Sequence, residues 1–269
     1  MTVQGSATET AGSMAAGKVA VISDLHSNRE ALEAVFAHIR SLSVSTIYCL
    51  GDVIGYGPEP EFCVDLVRGH GSLCLMGNHD EALFRDASDF NPHARGAIEY
   101  TRARMKPAWY SSSEKKARWS WLQGLPLEHR EGRFLFVHGS PRDPVREYVL
   151  STDGFLNPEK LRSIFDRFEG VAVAGHTHHP GLHDEEGRFH GMAGRDTLSL
   201  PLPKGKKSFV NVGSTGQPRD GDNRACYAVL EESQVTWHRV PYDYRSTMKK
   251  ILDTGVLSEV LARRLAVGK

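Results

Sequence analysis

The sequence predicts a layered α/β domain in which two sheets pack together. Three observations carry this. Strand-like and helix-like segments alternate through the first 150 residues, short strands and tight turns take over from residue 180, and no composition break between the two marks a linker. At 269 residues, 40% hydrophobic and 25% charged, the chain has globular composition and length enough for a full core.

Residues 18–23 are a short apolar, β-branched run. Residues 28–40 follow with Leu32, Val35, Phe36 and Ile39 at helical spacing. Residues 46–50 read as a strand, 59–68 as a helix whose start is marked by Pro58 and Pro60, and 73–76 as a buried strand. Such alternation predicts parallel strands joined by right-handed crossovers. Helices are expected at 92–105 and 112–122, the second opened by a serine run and Glu114. Strand character returns at 133–137 and 171–174, around a helix at 158–168. Beyond Pro180, residues 181–183, 188–190, 208–212, 225–230 and 234–240 form a meander punctuated by Gly, Pro, Asp and Asn. Residues 246–265 are helical and broken near Gly255.

Residues 1–16 have no basic start and no apolar run of seven, so they do not read as a secretory signal. They are expected to be a disordered leader to a single domain at 17–269. No stretch approaches 18 apolar residues, which excludes a membrane-spanning helix. Cys49, Cys63, Cys74 and Cys226 show no Cys-x-x-Cys spacing, and Cys49 and Cys74 sit in apolar runs, so a reducing, cytoplasmic setting is expected. Lys+Arg and Asp+Glu cancel at 33 each, which argues against long nucleic acid as a partner. A small phosphate ester needs only a local positive patch and fits that balance. A homo-oligomer is left open.

Chemistry gathers where the strands of the α/β part end. Asp24 and His26 follow the first strand, Asp52 the second, Asn78, His79 and Asp80 the third, His138 the fourth, and His176 and His178 the fifth. Glycines at 51, 77, 139 and 175 stand beside them. Strand carboxyl ends open into a crevice where such groups converge. Asp, Asn and His donors suit divalent Mn, Fe, Co or Zn rather than soft copper. The seven donors Asp24, His26, Asp52, Asn78, His138, His176 and His178 exceed what one tetrahedral ion uses. Two ions, spaced by roughly 3.5–4 Å and bridged by an anionic group, are therefore expected, with Asp52 the candidate bridge and a shared hydroxide as nucleophile. Each motif alone has a bland reading, such as a Gly-Asn-His-Asp turn that merely caps the next helix. Five of them in order at strand ends do not.

These residues resemble the calcineurin-like metallophosphoesterase superfamily, whose pattern runs Asp-x-His, Gly-Asp, Gly-Asn-His-Asp/Glu, Gly-His and Gly-His-x-His. The resemblance covers essentially residues 18–240. Residues 51–60, 138–144 and 211–220 look like a bacterial branch related to diadenosine tetraphosphatases and serine/threonine phosphatases. It implies a four-layer α/β/β/α sandwich of two mixed sheets with the site at one edge. It also implies Asp24, His26, Asp52 and His178 around one metal, Asp52, Asn78, His138 and His176 around the other, and His79 facing the leaving oxygen. Manganese is the first expectation, with iron, zinc, cobalt and nickel as alternatives.

The protein-phosphatase members carry an Asp three residues after the bridging one, paired with the catalytic His, and then a phosphate-gripping Arg; here those positions are Gly55 and Tyr56. Phosphate handling must come from elsewhere. Arg142 is the first candidate, Arg219 and Arg224 follow, and Tyr56 either hydrogen-bonds a phosphate oxygen or packs on its turn. Residues 81–132 hold Trp109, Trp119 and Trp121 and lie between the third and fourth motifs, which makes them the expected helical cap insert. The reading is a metal-dependent phosphoesterase acting on a phosphomonoester, nucleotide or phosphodiester. A protein phosphatase, a nuclease and a non-catalytic scaffold, like the retromer scaffold subunit that shares the superfamily's fold, are the alternatives.

Overall fold

The computed structural model describes residues 17–70 and 73–269; the leader at 1–16 lies outside the described residues. The chain runs β1 (Lys18–Ile22), α1 (Arg29–Ser41), β2 (Thr46–Cys49), α2 (Pro60–His70), β3 (Leu73–Cys74) and α3 (Asn78–Ala82). Next come α4 (Pro92–Met105), α5 (Ser113–Gln123), β4 (Glu128–Glu131), β5 (Phe134–Val137), α6 (Asp153–Leu156), α7 (Pro158–Phe165) and β6 (Val171–Ala174). It closes with β7 (Gly181–Asp184), β8 (Phe189–Gly191), β9 (Thr197–Pro201), β10 (Ser208–Asn211), β11 (Ala225–Glu231), β12 (Gln234–Val240), α8 (Tyr244–Asp253) and α9 (Glu259–Val267).

Two mixed six-stranded sheets result, in the orders β3-β2-β1-β11-β12-β9 and β4-β5-β6-β10-β7-β8. The parallel pairing expected from the α/β rhythm holds for β1, β2 and β3 and for β5, β6 and β10. Of the strands expected as a meander, β10 joins β6 parallel, and the others join antiparallel. Alternation sorts side chains into layers. Val19 and Val21 meet Phe134, Phe136, Val171 and Val173 between the sheets, while Ala20 and Ile22 face Leu32, Val35 and Val64 of α1 and α2. Leu135 and Ala172 turn outward onto Leu161 and Ile164 of α7. Helix, sheet, sheet and helix therefore stack in four layers.

Local chemistry sets the element ends. Asn28 caps α1, its Oδ1 accepting from the Ala31 N–H at 3.2 Å, and Pro60 occupies the first position of α2, where a missing N–H costs nothing. Ser112 caps α5 through the Lys115 N–H, and Gly255, at φ +63°, separates α8 from α9. The strand expected at 73–76 is shorter: β3 stops at Cys74, and the Met76 N–H leaves the sheet to bond Pro126 O at 2.8 Å. β4 and β9 were not expected. Both are edge strands whose side chains alternate between exposed and half-buried, and β4 reads Glu-His-Arg-Glu, with no apolar periodicity to betray it. All four cysteines are free, and no helix of the described residues is long and apolar enough to cross a membrane.

Candidate metal centre

Parallel strands bring their carboxyl ends to one rim, so β1, β2 and β3 of one sheet and β5 and β6 of the other deliver their following residues to a common place. The turns there are conformationally costly. Asp24, His26, Ser27, Asp52, Tyr56, His176 and His178 all have φ between +49° and +65°, and only two further non-glycine residues described share that region. Left-handed backbone at non-glycine residues persists where surrounding structure over-determines it, and it concentrates at functional sites. The rim also needs close approach. A Cβ on Gly77 would stand 2.1 Å from Asp52 Oδ1, and one on Gly55 would stand 2.5 Å from His79 Nδ1.

The structure brings all seven expected donors together, each of them buried. His178 Nε2 lies 3.1 Å from Asp24 Oδ1 and 3.3 Å from His26 Nε2. Asp52 Oδ2 stands between two groups, 3.7 Å from His26 Nε2 and 3.5 Å from His138 Nε2. His138 Nε2 in turn lies 3.1 Å from Asn78 Oδ1 and 3.2 Å from His176 Nδ1. Asp24, His26 and His178 form one group able to hold an ion, and Asp52, His138 and His176 another, with Asn78 beside it.

The tautomers show what these groups await. His26 Nδ1 faces Ile54 O at 3.2 Å, His138 Nδ1 faces Leu50 O at 2.9 Å, and His178 Nδ1 faces Gln217 O. A carbonyl oxygen only accepts, so each Nδ1 carries the proton and each Nε2 presents a bare lone pair. His176 is reversed: Nε2 donates to Arg146 O at 3.1 Å, leaving Nδ1 bare. Burial pushes all four imidazoles below their ordinary pKa, His176 to about 3, so they stay neutral. Lone pairs thus face lone pairs at 3.2 and 3.3 Å. Asp24 Oδ1 is buried without a hydrogen-bond donor. Burial, then the Asp24 and Asp80 carboxylates, push Asp52 well above the usual carboxylate range. Acceptors massed without donors are the chemistry of a cation site, and backbone carbonyls fixing the far ring nitrogens are its usual support. Divalent ions fit these residues.

His79 lies on the rim of the same site. Its backbone N–H donates to Asp52 Oδ1 at 2.8 Å, and its ring is enclosed by Tyr56, His26 and Phe90 at centroid distances of 4.4, 4.9 and 5.2 Å. Its buried Nδ1 has no hydrogen-bond partner. Burial, then the Arg219 charge, hold the ring well below its ordinary pKa. Arg219 sits over the Tyr56 ring at 5.6 Å and bonds Gln217. Tyr56 is buried and packs on the histidines.

Arg142 is not brought to the site. Its guanidinium pairs with Glu147 and donates to Ser163 Oγ at 3.1 Å. The cause is the turn after β5, where the Gly139 N–H bonds Pro144 O at 2.7 Å and folds the chain back. Arg224 is likewise committed to Asp222 and Asp196. The residues that sequence reasoning missed are Arg85, Arg146 and Tyr148. They line a cavity of about 240 Å³ together with Asn78, His79, His176 and the expected Tyr56. Tyr148 lies on the His176 ring at 3.9 Å. Asp89, Phe90 and Asn91 close the other side, so the start of the segment at 81–132 reaches the mouth. Trp119 and Trp121 instead pack against the α1–α2 core, and Trp109 is exposed.

The model of the calcineurin-like phosphoesterase superfamily domain matches residues 18–234. An uncharacterised protein of Methanocaldococcus jannaschii is 34% identical over 265 residues, 95% of this chain and 100% of that one. The crystal structure of a metallophosphoesterase from Sphaerobacter thermophilus is 35% identical and superposes with a TM-score of 0.79, covering 94% of this chain and 100% of its own. A hypothetical protein of Pyrococcus horikoshii shares the fold at 18% identity, with a TM-score of 0.72 over 94% of this chain and 98% of its own.

Proposed function

The chain belongs to the calcineurin-like phosphoesterase superfamily, and from that premise we propose that it hydrolyses a small phosphate ester with the help of two divalent metal ions, manganese first among them. The observation that carries the reading is the acceptor-only cluster, which gathers on both sides of Asp52. Asp24, His26, Asp52 and His178 would hold one ion, and Asp52, Asn78, His138 and His176 the other. Bound there, such ions supply a water acidic enough to ionise near neutral pH and positive charge for the phosphoryl oxygens.

The protein's own groups do the rest. Carbonyls of Ile54, Leu50, Gln217 and Arg146 hold the four imidazoles in one tautomer and one orientation. Arg219, beside Tyr56, brings fixed positive charge to the His26–His178 side, where it would steady a phosphoryl oxygen. His79 would serve the leaving oxygen. Phosphomonoesters, nucleotides and diesters are the substrate classes, with the segment at 81–132 as the cap that selects among them. A scaffold role gains no support from lost ligands, since all seven donors and His79 stand. A protein-phosphatase role is disfavoured by Gly55 and Tyr56.

The test is a panel of phosphate esters presented to the protein loaded with manganese. Hydrolysis is expected, falling by about a hundredfold or more after chelation and returning when manganese is restored. Full activity in protein shown by elemental analysis to be free of metal would refute the reading.

A further inference from the structure

We infer that the substrate is a small phosphate ester carrying a second anionic group, a carboxylate or another phosphate, and that Arg146 reads that group. The inference rests on the phosphoesterase reading and deepens it. Arg146 is no stray surface arginine. Its carbonyl oxygen accepts from His176 Nε2 at 3.1 Å, so the candidate metal centre itself fixes where this residue stands. Its side chain, 47% exposed, lines the cavity shared with Asn78, His79 and His176. Arg219 sits behind the cavity wall, over the ring of the lining residue Tyr56, and does not itself line the cavity. A phosphoryl group at the metals therefore has its own cation, and Arg146 is left for a different part of the substrate.

The resting partner of Arg146 is Glu81, and Glu81 also holds Arg85 at 3.1 Å. Arg85 is held further by Asp89, at 3.1 and 3.2 Å. An incoming anion can therefore take Arg146 while Glu81 keeps Arg85, and no carboxylate is left unpaired. Exchange of a partly exposed ion pair costs little. Arg146 offers the planar fork that suits carboxylate and phosphate alike. A cavity of about 240 Å³ beside the candidate metal centre has room for the second anionic group of a small ester.

The matched probes are glycerol 3-phosphate, 3-phosphoglycerate and glycerol 1,3-bisphosphate. The first lacks the second anion, the second carries a carboxylate, and the third a phosphate. Manganese-loaded protein is expected to favour one or both of the probes with a second anionic group by about tenfold or more in kcat/KM, and the winner identifies the group. Arg146→Ala should bring that ratio towards one, by a loss of about ten- to a hundredfold that falls on the probes with a second anionic group and lies mainly in KM. Arg146→Lys should recover part of it. Glu81→Gln removes the internal competitor and should raise the ratio, a gain that a folding defect cannot imitate. Calorimetric binding of the same probes reads the preference without turnover. Equal treatment of all probes by the parent, or an Arg146→Ala loss shared equally by all, overturns the inference and leaves the phosphoesterase reading intact. If Arg146→Ala does not fold, a Glu81→Gln protein with an unchanged ratio overturns it too. Absence of hydrolysis of every ester tried would strike the phosphoesterase reading instead, and calorimetry would still decide the role of Arg146.

Discussion

Asp52→Asn is expected to lower turnover by about a thousandfold or more, the equivalent of several kcal/mol of lost transition-state stabilisation. Asp52 stands with Oδ2 between His26 and His138, at 3.7 and 3.5 Å, so one carboxylate serves both groups of donors. Asparagine keeps the shape and the bond from the His79 N–H to Oδ1, 2.8 Å long, but it removes the charge. Where the oxygen faced two lone pairs, it supplies an amide whose N–H₂ is no metal ligand. The fold should not suffer. Burial and the Asp24 and Asp80 carboxylates already press Asp52 towards its neutral form, so a neutral amide is cheaper to enclose. Metal-free Asp52→Asn should therefore unfold at a temperature no lower than the metal-free parent at neutral pH. A variant that keeps a tenth of the parental kcat would remove Asp52 from its bridging place.

His79→Asn should slow an alkyl phosphate by about a hundred- to ten-thousandfold and nitrophenyl phosphate far less. The difference comes from the leaving group: nitrophenolate departs without a proton and an alkoxide does not. His79 lines the cavity beside Asn78, and the ring is neutral because burial and Arg219 oppose a second proton. It acts by hydrogen-bonding the leaving oxygen through the one N–H it keeps, which steadies the developing alkoxide charge while water supplies the proton. Gly55, where the protein phosphatases place an aspartate partner, has no room for a side chain: a Cβ there would stand 2.5 Å from His79 Nδ1. The ring is held instead by Tyr56, His26 and Phe90. Equal losses on both esters with metal retained would deny His79 its hydrogen bond to the leaving oxygen. Loss of metal would make His79 a ligand, which its place near His26 and Asp52 also permits.

The donors were legible in the sequence because each follows a strongly apolar strand, and parallel strands send their ends to one rim by geometry alone. β1, β2, β5 and β6 are almost wholly buried four- or five-residue runs. The edge strand β4, Glu-His-Arg-Glu, was not legible because a half-exposed edge needs no apolar alternation to pair; β9 does alternate, with Leu198 and Leu200 on its half-buried face, but two leucines in a short polar stretch ending at Pro201 are a weak signal. The substrate-side residues failed for another reason. Arg142 is nearer His138 in sequence, yet the turn closed by Gly139 and Pro144 sends it to Glu147 and returns the chain so that Arg146 and Tyr148 face the cavity. Sequence distance from a motif does not report side-chain direction through a reversing loop. Arg85 lacked even that cue, lying in a segment read only as a cap.

On the proposed reading this cluster of acceptors holds two ions. Protein stripped with a chelator, reloaded with excess manganese, freed of unbound metal by gel filtration and subjected to elemental analysis should carry two manganese ions per chain. Asp52→Asn treated alike should carry fewer. One ion or none in the parent protein, with catalytic activity restored, would rule out a two-ion centre.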